Sequence, residues 1–129
     1  EVMSTRAIFF IEQKDGSYLG TYQHYDGYPS FFVKILFEAD SKGELQMLLQ
    51  KYFDNNEDRY EYEVIEEVLY HIHHSDIDWC YIKQQNGSWK VIHSYFEDEL
   101  VNSECNRKIC ELHEPLYKLI AKDNPNSTI

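Results

Sequence analysis

Tyr22-Gln23-His24-Tyr25-Asp26-Gly27-Tyr28-Pro29-Ser30 is the stretch on which the fold turns. Gly tolerates positive φ, and Pro fixes its own φ while holding the preceding residue away from the helical region, so Asp-Gly and Tyr-Pro both read as turns. A strand is expected to end near His24, and a helix to begin just after Ser30. Working back from the corner, Tyr18 to His24 places Tyr18, Gly20, Tyr22 and His24 on one strand face, with Leu19, Thr21 and Gln23 on the other. Before it, Lys14-Asp15-Gly16-Ser17 carries an Asp-Gly hairpin signal, and Arg6 to Gln13 is a short apolar run suited to the partner strand.

Working forward, Ser30 is placed to cap a short helix through Phe31, Phe32, Ile35 and Leu36. Ser41-Lys42-Gly43-Glu44 has the spacing of a capping box, followed by Leu45, Leu48, Leu49, Tyr52 and Phe53 at helical intervals. From Tyr60 the period is mixed. Tyr60, Tyr62 and Val64 alternate like a strand, whereas Val64, Ile65, Val68, Leu69 and Ile72 recur like a helix; the length of the run favours a helix over Tyr60 to His73. Ile77 to Lys83 and Trp89 to Tyr95, joined by Gln85-Asn86-Gly87-Ser88, form a second predicted hairpin, with Ile77, Trp79 and Tyr81 on one face and Cys80 and Ile82 on the other. Helical runs are expected around Ser103 to Leu112 and Pro115 to Lys122.

The order hairpin, helices, hairpin, helices predicts a single α+β domain over 3–123. Its two hairpins would join into an antiparallel sheet of about four strands, with helices covering one face. The halves look alike in plan, without a residue-level repeat strong enough to indicate duplication. Glu1-Val2 read as a remnant ahead of Met3, the expected start, and 124–129 as a frayed tail.

Composition narrows the classes of function. The chain has 129 residues, 12 Lys and Arg against 23 Asp and Glu, and a formal net charge of −11, which disfavours direct nucleic-acid binding because phosphate contacts need cations. A protein with a basic surface is the more natural partner. Eleven tyrosines supply stiff, amphipathic contact area, or equally strand-forming residues at the rim of a core. Cys80, Cys105 and Cys110 make an odd number without paired spacing, which fits free thiols in a reducing cytoplasm, and no apolar run approaches a membrane span.

Met3-Ser4-Thr5-Arg6-Ala7, followed by Gly20-x-Tyr22-x-His24-x-Asp26-Gly27-Tyr28-Pro29, resembles a family of small proteins carried by bacteriophages and prophages. The likeness covers the first quarter of the chain. It departs at Tyr25, where a tryptophan is expected, and at Phe31-Phe32-Val33, where a glycine is expected. The resemblance implies a phage-type accessory protein acting in a bacterial cytoplasm, and no catalytic role is carried over from it.

Three groups of residues are candidates for chemistry. Arg6, Tyr22, His24, Asp26 and Tyr28 are placed to hold a flat, nucleotide-like anion: His24 is oriented by a carboxylate, the tyrosines stack, and Arg6 meets a phosphate. The same residues serve equally as a structural turn. His71, His73 and His74 near Asp76 and Asp78 have two histidines at helical i, i+3 spacing, yet lack HExxH or CxxC signals; no metal and no cofactor are assigned. Glu57, Asp58, Glu61, Glu63, Glu66 and Glu67, with Glu97, Asp98 and Glu99, form a field of one sign suited to a basic protein. No nucleophile elbow, phosphate loop or dinucleotide-binding glycine pattern is present. The expected function is therefore non-enzymatic binding of a bacterial host protein through the acidic, tyrosine-rich surface, with inhibition of a nucleic-acid-handling or defence system as its purpose. A nucleotide-like ligand at the Tyr22–Pro29 corner is the alternative, and a small hydrolase or lyase using His24 the third; a homodimer stays open.

Overall fold

The computed structural model describes residues 5–56, 58–95 and 108–113, Asn56 by its backbone alone. Its elements are β1 (Ala7–Glu12), β2 (Tyr18–Gln23), α1 (Pro29–Ser41), α2 (Leu45–Asn56), β3 (Tyr60–Tyr62), α3 (Ile65–His73), β4 (Trp79–Lys83), β5 (Trp89–Tyr95) and β6 (Lys108–Leu112). The strands make one six-stranded sheet in the order β3-β2-β1-β4-β5-β6.

Both expected hairpins form, β1 with β2 and β4 with β5. They do not join as an antiparallel sheet of four strands. β1 and β4 pair in parallel, in a register from Ala7↔Trp79 to Ile11↔Lys83, and β3 and β6 extend the two edges. The helices lie on both faces rather than one. The physical reason is in the strands themselves: Ala7 to Ile11 and Trp79 to Ile82 are buried without alternation, so each needs cover above and below.

On one face Ala7, Phe9, Ile11, Trp79, Tyr81 and Val91 pack against Phe32, Val33 and Leu36 of α1 and Leu45, Leu49 and Phe53 of α2. On the other, Ile8, Phe10, Cys80, Ile82 and Ile92 pack against Val68 and Ile72 of α3, with Tyr18, Tyr22, Tyr60 and Tyr62 at the margin. Ile77, expected beside Trp79 and Tyr81, belongs to this second face because it precedes the strand.

Four local features differ from expectation. The helix predicted from Tyr60 begins only at Ile65, since Tyr60 and Tyr62 satisfy the open edge of β2 by pairing with Gly20 and Tyr18. The helix predicted over Ser103 to Leu112 is strand β6 in its described part, Lys108–Leu112; 103–107 and Pro115 to Lys122 lie outside the described residues. The Ser41–Glu44 capping box does not form, because Ser41 still belongs to α1 and its hydroxyl donates to Glu38 O at 2.8 Å. At the start of α1, Tyr28 rather than Ser30 is the cap residue, with Pro29 in the first turn.

The two hairpin turns share a Gln-x-Asx-Gly-Ser pattern, Gln13-Lys14-Asp15-Gly16-Ser17 and Gln84-Gln85-Asn86-Gly87-Ser88. They also share a bonding pattern. Gln13 N and Gln84 N donate to Ser17 O and Ser88 O, and Gly16 N and Gly87 N to Gln13 O and Gln84 O. Asp15 and Asn86 each accept the N–H and the hydroxyl of the following serine, and both glycines have φ near +90° (+89° and +92°). Because β1 and β4 are parallel, the turns lie at the same end of the sheet, tied together by Gln85 N to Glu12 Oε1 (3.0 Å) and Gln85 Nε2 to Gln13 O (2.7 Å). Lys83 Nζ and Trp89 Nε1 both donate to Asp40 Oδ2, fastening the end of α1 to the second hairpin.

Opposite Phe10, Gly20 leaves room for the aromatic ring; a Cβ there would collide with the ring and stand 2.7 Å from Phe9 O. Gly20→Ala should therefore destabilise the protein by about 1–3 kcal/mol. Urea denaturation of this variant, Phe10→Leu and the double variant should give a double-mutant loss smaller than the sum, because the smaller side chain yields the space. Additive losses would show that Phe10 does not occupy the Gly20 slot.

Candidate functional site

The Asp26-Gly27 corner is built into the core. Gly27 N donates to Thr5 O at 2.9 Å, and the buried Tyr81 hydroxyl donates to Gly27 O at 2.7 Å. A Cβ on Gly27 would come within 2.6 Å of Ala7 Cβ, so only glycine fits against β1. Asp26 is in the left-handed region (φ 57°), which Asp tolerates better than most residues. The Tyr28 phenol is held above its ordinary value by desolvation first, and then by its hydrogen bond to Asp26. Asp26 and Tyr28 thus serve the approach to α1.

The other three predicted ligand residues meet on the α3 side of the sheet. Arg6 Nε lies 3.4 Å from Asp76 Oδ2. Its side chain also bonds Tyr22, whose phenol is raised by desolvation against the opposing pull of the Arg6 charge. The Tyr22 hydroxyl and His24 Nδ1 are 2.8 Å apart, and the exposed His24 and Tyr25 rings meet edge to face at 4.4 Å. Nearby, the Tyr60 phenol is pushed up to about 12 by burial, with Asp58, Tyr62, Tyr22 and Asp76 adding to it. The five residues thus fall into two sets of contacts, and an anion at Arg6 would compete with Asp76 for its charge.

A third assembly, not foreseen from the sequence, lies where β3 runs into α3. Tyr62, Glu67, Tyr70, His71 and His74 line an open hollow of about 370 Å³. Glu67 Oε1 accepts from Glu63 N (2.7 Å) and Val64 N (3.3 Å), so its carboxylate caps the helix start. The Tyr62 hydroxyl lies 2.9 Å from His71 Nδ1. Burial holds the His71 imidazole below its ordinary value and the Tyr62 phenol above, so both sides of this bond are held in their neutral forms. His74 Nδ1 donates to Tyr70 O at 3.0 Å while the two rings stack at 4.1 Å. The spacing of Glu67 with His71 and of Tyr70 with His74, each i, i+4, was legible as one helix surface. The entry of Tyr62 was not, because it depends on the turn from β3.

The acidic residues divide as well. Glu61 pairs with Arg59 at 2.8 Å, Glu67 is the helix cap, and Glu63 and Glu66 are exposed. Asp58 offers its backbone carbonyl to Thr21 Oγ1. Glu57 and Glu97, Asp98 and Glu99 lie outside the described residues, as does Cys105; Cys80 is a buried free thiol and Cys110 an exposed one. Among the described residues, no three His, Cys, Asp or Glu side chains converge as a metal ion would require, and no helix is long and apolar enough to cross a membrane.

The half-buried His71 carries a pH signature. Its folded value is depressed below the ordinary 6.5, so on acidification the unfolded chain takes up the proton first. The stability present above that pH should be lost as pH falls through 6.5, and the loss should level off below the folded value. Urea midpoints measured from about pH 8 to 5 should show this slope, flattened in His71→Gln; an unchanged slope in the variant would remove His71 as its source.

Compared with family models, with curated proteins and with solved structures, the chain matches none.

Proposed function

We propose that this chain is a non-enzymatic binding protein that engages a partner protein with a basic face, through the acidic, aromatic surface formed by β3 and α3. The observation that carries this reading is the exposure of Tyr70 (66%) and Val64 (48%) on a segment that also presents Glu63 and Glu66 to solvent. Apolar and aromatic contact area within a rim of one charge is the composition of a protein-recognition surface, with the charge steering encounter and the aromatic residues supplying affinity. The net charge of −11 extends the attraction beyond the patch. A bacterial host protein that handles nucleic acid has the required basic surface, and the phage-type opening and corner of the chain point to the same setting.

A nucleotide-like ligand at Arg6, Tyr22 and His24 is the second reading, favoured by the exposed His24 and Tyr25 rings and by Tyr22, which bonds both His24 and Arg6. A nucleotide that raises the melting temperature of the protein, and fails to do so in His24→Ala, would move the assignment there.

The surface reading is tested by capture of partners from bacterial lysate with the wild-type protein and with Glu61→Lys/Glu63→Lys/Glu66→Lys. Glu67 is left intact because it caps α3. A single basic protein should be retained by wild type, released by moderate salt, and bound at least about tenfold more weakly by the triple variant. Equal capture by the variant would overturn the reading.

A further inference from the structure

The hollow between β3 and α3 offers hydrogen-bond acceptors on several sides. The Tyr62 hydroxyl shares one hydrogen bond with His71 Nδ1, and in either direction its oxygen keeps a lone pair for an incoming donor. His74 donates through Nδ1 to Tyr70 O, and as a neutral imidazole it offers Nε2 as an acceptor. Glu67 uses Oε1 for the two backbone N–H groups and keeps Oε2. The remaining lining is aromatic: the exposed Tyr70 ring stacked on His74, and Tyr62 edge to face with His71 at 5.8 Å. Acceptors, one carboxylate and π faces together select a cation that is flat and carries several N–H donors.

We infer that this hollow is the receiving pocket for an arginine side chain of the partner, its guanidinium stacked on Tyr70 and bonded to Glu67. The inference rests on the partner-binding reading of the same surface and adds the identity of the anchoring residue. Arginine is favoured over lysine by shape. A planar guanidinium stacks on an aromatic face and presents paired N–H groups to an acid, whereas an ammonium is a compact and more strongly hydrated charge. The volume of about 370 Å³ is ample for one such side chain and is open to solvent on its outer side. An anchor of this kind, aromatic residues around a desolvated cation, is the usual composition of an energetic centre in an interface.

The test uses two unstructured eight-residue peptides of equal charge, one with arginine and one with lysine as its basic residue, titrated into the full chain. Imidazole NMR signals of His71 and His74 report the hollow, and fluorescence anisotropy reports affinity. The expected result is roughly tenfold tighter binding of the arginine peptide, with both histidine signals shifted. The preference should be lost in Tyr70→Ala and reduced in Glu67→Gln, which retains an oxygen for capping. Equal affinity for the two peptides, or histidine signals that stay in place, would overturn the pocket. If binding is then still weakened by Glu61→Lys/Glu63→Lys/Glu66→Lys, the acidic surface stands without the pocket. If that triple variant binds both peptides as wild type does, surface and pocket fall together. Tyr70 is exposed, so loss of fold is not expected to obscure its variant; an unchanged far-UV spectrum confirms this.

Discussion

The parallel pairing of β1 with β4 is the constraint on which the other elements depend. At its head Arg6 N donates to Asp78 Oδ2 at 3.0 Å, while Arg6 O accepts from Asp78 N and Trp79 N. This exchange sets which residues stand opposite one another for the length of both strands. Ser94 extends it to the next strand, its N–H on Asp78 O and its hydroxyl on Ile77 O. A shift of one residue would turn Phe9 and Tyr81 away from α1 and expel Ile8 and Cys80 from beneath α3. Helices on both faces, and hence the placement of α3 over the tyrosine margin, follow from this pair.

The two faces carry different kinds of cover. The α1 and α2 side is closed by aliphatic and phenyl groups, among them Phe32, Leu36 and Leu49. The α3 side is finished by tyrosines on β2 and β3, whose rings reach the core and whose hydroxyls reach the surface. Tyr62 shows the division of labour: its ring rests against Phe10 at 5.9 Å, and its hydroxyl meets His71. A polar, aromatic surface is thereby built from residues that also hold the sheet together, and it stands on a short strand and a nine-residue helix that share one joint at Glu63-Val64.

Much of this was legible in the chain. Asp15-Gly16 and Asn86-Gly87 mark their hairpins through local turn chemistry, and Leu45, Leu49 and Phe53 mark the buried side of α2. What was not legible is how the hairpins meet, since strand pairing over long separation leaves no local mark; the unbroken apolar runs were the one available sign. The Tyr60–Tyr62 strand was visible as an alternation but lost to the longer helical period that follows it, because an open edge on β2 outweighs local preference. Of the predicted ligand residues, Arg6, Tyr22 and His24 do come together, whereas Asp26 and Tyr28 answer to the turn. The hollow at α3 escaped the reading because three of its groups act through bonds made across the β3–α3 joint.

The twin Gln-x-Asx-Gly-Ser turns bear on the order in which the molecule assembles. Each closes a hairpin from residues adjacent in the chain, an event of microseconds that needs nothing from the other half. The central pair, by contrast, joins residues 72 apart, as between Arg6 and Asp78, and has to gather α1, α2, β3 and α3 into the intervening loop. Two hairpins formed early and a seam closed late is the sequence of events this topology imposes. Until the seam closes, each hairpin presents an inner strand that is apolar up to its last residue, Glu12 or Lys83, with an unpaired edge, so the slow step of folding is also the moment at which a second chain most readily takes the place of the first.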